Sequence, residues 1–230
     1  MQRSLWTILT LLAVAASSAS AGRITGVTVF GLNHGTGDGM GFVQVPLVDT
    51  PHPDNNDQPG GPGGDNNVTV PLKRFDNVGY IDIEFLVDPT NGITEYKVSE
   101  TVDNDTGVDW AHYRMELGFG VDAAFERSTA ADGLSFDAPQ YDTPPSSSAF
   151  TSVSLSPDVL VFSGGLHGLP SEFYQVRIDV PNLSGGKFTL RQIPKRSRAD
   201  GDRVIRLSCF RVDRNALAWS KSRLSKAVSR

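Results

Sequence analysis

Three aspartates crowd the segment DNDTGVDW: Asp103, Asp105 and Asp109, at i, i+2 and i+6. Alternating carboxylates in a tight loop are a donor pattern suited to Ca²⁺, which collects about six to eight oxygens. The spacing departs from an EF-hand. Gly107 sits one place early, and Arg114 stands where a bidentate glutamate would close the loop. Asn-Asp-Thr-Gly is also a good hairpin turn, and that is the leading reading, with calcium as the alternative. The acidic loop with Asp54, Asp57 and Asp65 is read the same way, as solvated chain before cation site. Next to the first cluster, Trp110 and Tyr113 with Asp109 could form an aromatic platform for sugar rings. A tryptophan opening a central strand is more often core.

Nucleophilic chemistry has no local signature. There is no G-x-S-x-G, H-E-x-x-H or P-loop. The four histidines, His34, His52, His112 and His167, are scattered; such residues are mostly structural or solvent-exposed. The run Gly35-x-Gly37-x-Gly39-x-Gly41 has neither dinucleotide nor calcium-roll spacing and reads as a flexible turn. One cysteine, Cys209, excludes an internal disulfide and argues against zinc or iron–sulfur chemistry. The expectation is a non-enzymatic protein without catalytic residues and without a cofactor, calcium apart; a secreted hydrolase survives only because a triad assembled in space leaves no local trace.

The elements that must position these residues read as β. Period-2 runs appear at Arg23 to Phe30, Met40 to Val48, Val68 to Leu72, Tyr80 to Val87, Ile93 to Val102, Tyr113 to Phe119, Phe150 to Leu155, Val159 to Phe162, Phe173 to Val180 and Lys187 to Arg191. In Ile93 to Val102, Thr94, Tyr96, Val98 and Glu100 share one face. Turn clusters separate the runs, and no useful helical period precedes the C-terminal tail. Aspartate outnumbers glutamate 20 to 6, which suits turns and caps better than helix interiors. The predicted fold is one all-β antiparallel sandwich, jelly-roll or Ig-like, over 22–193. Long loops are expected at 49–67 and 138–148, the first holding four each of Pro, Gly, Asp and Asn.

Charge divides the chain. Residues 22–193 carry 9 Lys/Arg against 23 Asp/Glu, a net −14, which argues against nucleic acid as a partner. Residues 194–230 carry 11 Lys/Arg against 3 Asp, a net +8. Residues 1–21 read as a signal peptide: Arg3, an apolar stretch from Leu5 to Ala16, then Ala19-Ser20-Ala21. The mature chain is therefore expected to begin at Gly22, to be secreted or surface-associated, and to hold no transmembrane span, for which ~20 apolar residues are needed.

The stretch Gly92 to Gly120 resembles a recurring segment of exported bacterial proteins of the choice-of-anchor, or PEP-CTERM, type. The matching residues are Val102, Asn104, Thr106, Gly107, Trp110, Tyr113, Glu116, Leu117 and Gly118. The resemblance implies an extracellular β-sandwich handled by an exosortase-type sorting system. It implies a place at the cell surface or in the exopolysaccharide matrix, as a matrix or adhesion component, and no catalytic residues. A carbohydrate-binding module, calcium-assisted or not, is the alternative. The likeness fails after Ile193-Pro194. No Pro-Glu-Pro motif or apolar span follows; a basic, Ser-rich segment does. Either a frameshift near residue 194 has replaced the sorting signal, or the tail is genuine. A genuine tail is expected to be poorly ordered or partly helical, with Leu217, Leu224 and Val228 on one face of a basic helix suited to an anionic envelope surface.

Overall fold

Alternation of apolar and polar side chains becomes strand wherever a neighbouring strand can complete its backbone hydrogen bonds. The computed structural model describes residues 22–30, 35–49, 66–89, 93–137, 144–168, 171–183 and 185–196. The expected leader, most of both expected loops, the tail beyond Arg196, and His34, His52, Asp54, Asp57, Asp65 and Cys209 lie outside the described residues.

The strands are β1 (Gly22–Thr28), β2 (Leu47–Val48), β3 (Asn66–Phe75), β4 (Ile81–Pro89), β5 (Thr94–Asn104), β6 (Trp110–Phe119), β7 (Glu126–Arg127), β8 (Ser135–Phe136), β9 (Ser146–Ser147), β10 (Ser152–Leu155), β11 (Val159–Ser163), β12 (Glu172–Val180) and β13 (Lys187–Arg196). One short 3₁₀ turn, Asp122–Ala124, is the only helical element among the described residues. No helix among them is long and apolar enough to cross a membrane.

The strands form two sheets packed face to face. One runs β1-β4-β13-β6-β11-β10, with β7 also on β6. The other runs β2-β3-β5-β12-β8, with β9 also on β12. The all-β sandwich is as expected, with one departure from antiparallel pairing: β3 lies parallel to β5. Between the sheets, Ile83, Phe85, Met115, Leu117, Leu160, Phe162 and Phe188 of the first meet Val68, Phe75, Val98, Val102, Tyr174, Val176 and Ile178 of the second in one apolar cluster.

Several boundaries move. Met40 to Val48 is not a strand over its length. Pro46 lacks the N–H that a ladder needs, and only Leu47–Val48 and a bridge at Val43 pair regularly. Even so, Gln44 N donates to Leu72 O at 2.9 Å, and Arg74 N donates to Phe42 O at 2.7 Å, so the segment follows the edge of β3. Asn66 and Asn67 belong to β3 and not to the preceding loop, and Ser146–Ser147 pairs with β12. The last strand continues to Arg196, five residues past the expected strand end at Arg191 and three past the expected domain end at 193, with Pro194 opposite Tyr113 and Lys195 opposite His112.

The glycine run is a packed turn, not a loose one. Gly35 N donates to Gly41 O at 2.7 Å, and Gly39 N to Tyr80 O at 3.1 Å. A Cβ on Gly41 would lie 1.8 Å from the Arg74 carbonyl oxygen, a distance only glycine tolerates. Gly37 adds a φ of +86° beneath the Tyr80 ring.

Candidate functional site

One irregularity in β3 creates the most unusual chemistry in the described chain. Val68 and Val70 face the core; by strict alternation Leu72 would follow. Instead, Val70 pairs with Glu100 and Lys73 with Val102, so three residues of β3 advance against two of β5. This bulge shifts the parity and turns Lys73 and Phe75 inward. Both side chains are fully buried. The fold thus buries a lysine beside a leucine that could have filled the position.

Lys73 meets partners from both sheets. Its Nζ donates to Glu100 Oε2 of β5 at 2.6 Å and also to Gln192 Oε1 of β13. Gln192 Nε2 donates to the same Glu100 Oε2 at 2.9 Å. Tyr113 of β6 donates its hydroxyl to Glu100 Oε1 at 3.3 Å. The ammonium stands 5.6 Å from the Tyr113 ring centre and 5.9 Å from that of Phe75, within cation–π range. Lys73, Tyr113 and Gln192 are each 0% exposed and Glu100 is 1%. Removing a charge from water is costly, and one close ion pair offsets only part of that cost. Burial accordingly pulls the Lys73 amine down to about 8 from 10.5, against the opposing pull of Glu100. Burial, then the neighbouring Glu100 carboxylate, pushes the Tyr113 phenol well above its ordinary value. The cluster brings together a nucleophile, a carboxamide and a proton carrier with water excluded.

Aromatic rings form one side of this cluster. Trp110 stacks on Tyr113 at 5.9 Å and meets His167 edge-on at 4.4 Å. Tyr113 packs on Tyr174 at 4.6 Å. His167 and Trp110 exchange backbone hydrogen bonds at 3.0 Å, and His167 Nδ1 lies 2.7 Å from the Tyr174 hydroxyl.

The expected sugar platform is corrected by this arrangement. Trp110 and Tyr113 are fully buried and present no face to a ring in solution; Asp109 is exposed but stands without them. Being large and apolar, both rings pack into the core, while the Trp110 indole N–H donates to Thr106 Oγ1 at 3.1 Å. Surface concavities are found beside β1 and Phe42–Val45 and near Phe119, Ala131 and Leu183.

The calcium expectation is likewise corrected. Asp103 and Asp105 flank Arg74, at 3.6 and 3.0 Å, and Asp103 also accepts a hydrogen bond from Ser171 Oγ. Asp109 faces solvent beside Gly168. Asp103 and Asp105 share the Arg74 guanidinium, and the three carboxylates do not converge on one cation position. Among the described residues, the acidic triple that does converge is Glu95, Asp137 and Asp179. Arg177 already supplies a cation there, its Nη1 2.5 Å from Glu95 Oε1.

The same segment is a turn but not the expected hairpin: β5 and β6 lie in different sheets, so it carries the chain from one sheet to the other, and Asn104 organises it. Asn104 is buried. Its Oδ1 accepts from Thr106 N at 3.1 Å and Thr106 Oγ1 at 2.6 Å. Its Nδ2 donates to Val108 O at 2.8 Å and His167 O at 2.9 Å. Gly107 supplies a φ of +74°. Lys73 and Gln192 were not singled out from the sequence. Gln192 follows Phe188 and Leu190 at period two, a signal available in the sequence; the bulge that turns Lys73 inward leaves none. In comparisons with known proteins, the chain matches no family model, no curated protein and no solved structure.

Proposed function

We propose that this chain is a non-enzymatic protein of the bacterial cell exterior, a component of the extracellular matrix or of an adhesive surface. The observation that carries the reading is where the reactive groups are spent. Lys73, Glu100, Tyr113, His167 and Tyr174 are enclosed between the sheets and bonded to one another, out of reach of a soluble substrate. They bind sheet to sheet, which suits a domain whose task is to persist outside the cell. The sole cysteine lies at 209, so residues 22–196 are held together without disulfides. The N-terminal segment supports export, and the net −14 of residues 22–193 supports a place in a hydrated, ion-rich matrix.

The test is expression of the full chain with its own N-terminus in a Gram-negative host, followed by fractionation and N-terminal sequencing. A chain starting at Gly22 in the periplasm or medium, and co-sedimenting with purified exopolysaccharide, is expected. A chain retained in the cytoplasm with Met1 intact overturns the reading.

A further inference from the structure

We propose that Lys73 and Gln192 become joined by an intramolecular isopeptide bond that stitches one sheet of the sandwich to the other, with Glu100 carrying the protons. The inference goes beyond the proposed function and does not depend on where the protein resides.

Three observations converge. The first is position. Lys73 lies on β3 of one sheet and Gln192 on β13 of the other, and the Nζ–H of the former rests on the carboxamide oxygen of the latter. Both are fully buried, so the groups cannot drift apart into solvent. Holding two reactants in fixed contact replaces a bimolecular encounter with an intramolecular one, equivalent to an effective concentration of about 10⁵–10⁸ M when the alignment is good. The second is the proton path. A single oxygen, Glu100 Oε2, accepts from Lys73 Nζ at 2.6 Å and from Gln192 Nε2 at 2.9 Å. It touches both the nitrogen that must lose protons and the nitrogen that must gain one. The third is the medium. Apolar and aromatic walls, Phe75 and Tyr113 among them, exclude the water that would stabilise an ammonium ion and hydrolyse an acyl group. A desolvated lysine is an activated nucleophile. The lowered proton affinity of Lys73 agrees with this, though the geometry stands without it.

The step balances within the cluster. Lys73 passes one proton from Nζ to Glu100, giving a neutral amine and a neutral carboxyl. The Nζ lone pair attacks Gln192 Cδ and the carbonyl π pair moves to Oε1. Glu100 then gives its proton to Nε2 and takes one from the now cationic Nζ. The carbonyl re-forms, the Cδ–Nε2 bond breaks with its electron pair on nitrogen, and ammonia leaves. The products are a secondary amide, a protonated Glu100 and one ammonia. No oxidant, reductant or co-reactant is required. A buried ion pair is replaced by neutral groups, which removes the desolvation cost that the lysine imposes on the core.

The test is peptide mapping of the folded, full-length protein. Trypsin cuts after Arg191 and Lys195, so unmodified Gln192 is released in the short peptide Gln192–Lys195. In the cross-linked chain, this peptide is expected as a branch on the peptide containing Lys73, with total mass lower by one ammonia. Tandem mass spectrometry places the branch. Lys73→Met and Gln192→Met are expected to abolish the branched species, and Glu100→Gln is expected to reduce its yield at least tenfold in protein that still folds. Because the reading is made on the wild-type chain, it stands even where a variant fails to fold. Full recovery of unmodified Lys73 and Gln192 peptides overturns the proposal. So does a branch at Glu100 with loss of water in place of ammonia.

Discussion

A bond between Lys73 and Gln192 closes a loop spanning a sequence separation of 119, and the stability it confers follows from that separation. In the chain-entropy treatment of cross-links, a loop of this length removes enough freedom from the unfolded chain to stabilise the fold by about 5 kcal/mol. For a domain of this size each kcal/mol is worth about 2–4 °C in melting midpoint, so losing the bond should lower the midpoint by roughly 10–20 °C. The perturbations are Lys73→Met, which keeps side-chain length and removes the nucleophile, and Glu100→Gln, which keeps shape and removes the proton carrier. Each also disturbs the folded state, since breaking a buried pair costs about 3–5 kcal/mol in its own right. The slope of urea unfolding separates the two effects. A cross-linked chain stays looped in urea and exposes less surface, so wild type should show a smaller slope than either variant. It should also migrate faster in denaturing electrophoresis. Equal slopes and equal mobility in all three proteins would refute the loop-closure reasoning, whatever the melting midpoints do.

In Gln192→Met the amine stays free. Its folded proton affinity, near 8 against 10.5 unfolded, means the unfolded chain binds the extra proton, so stability should rise as pH rises from about 8 towards 10. The tyrosines act with opposite sign. Burial pushes Tyr96 up to about 12 and holds Tyr113 and Tyr174 well above the ordinary phenol value, so the folded chain keeps protons that the unfolded one loses, and stability should fall above about pH 10. Cross-linked wild type should show only the fall; denaturant midpoints across this range distinguish the two profiles. Gly41→Ala should cost about 1–3 kcal/mol by overpacking against the Arg74 carbonyl. Gly107→Ala, with open space around it but a φ of +74°, should cost only about 1 kcal/mol in the same urea assay. Trp110→Ala should cost about 3–5 kcal/mol, with loss of near-ultraviolet dichroism, as expected of core and not of a surface platform. Asn104→Ala should cost about 2 kcal/mol by stranding the turn's buried hydrogen-bonding groups.

Sheet architecture was legible because its cause is local. Strands such as Tyr80 to Val87 and Phe173 to Val180 carry their face assignment in every second residue, and most structural boundaries fall within a few residues of the expected ones. The parallel pairing of β3 with β5 was not legible, because pairing direction depends on a chain path that periodicity does not encode. The calcium alternative failed for a related reason. Asp103 and Asp105 are close in sequence, but their side chains meet Arg74, a residue of another strand, so chain proximity overstated their power to share an ion.

The buried cluster lies at the limit of this kind of reading. Alternation alone placed Glu100 on the same face as Tyr96 and Val98, an acid in a row of core positions. A buried acid in such a row requires a partner. The partner came from a bulge, which breaks the alternation that would have predicted it, and from a strand almost a hundred residues further along the chain. Local rules fail where the fold departs from them to bring distant groups together. A lysine turned inward past an available leucine, onto a carboxylate and a carboxamide from two other strands, is such a departure, and a covalent bond between the sheets accounts for the choice of all three residues. A simple ion pair would account for Lys73 and Glu100, but not for the carboxamide that touches both.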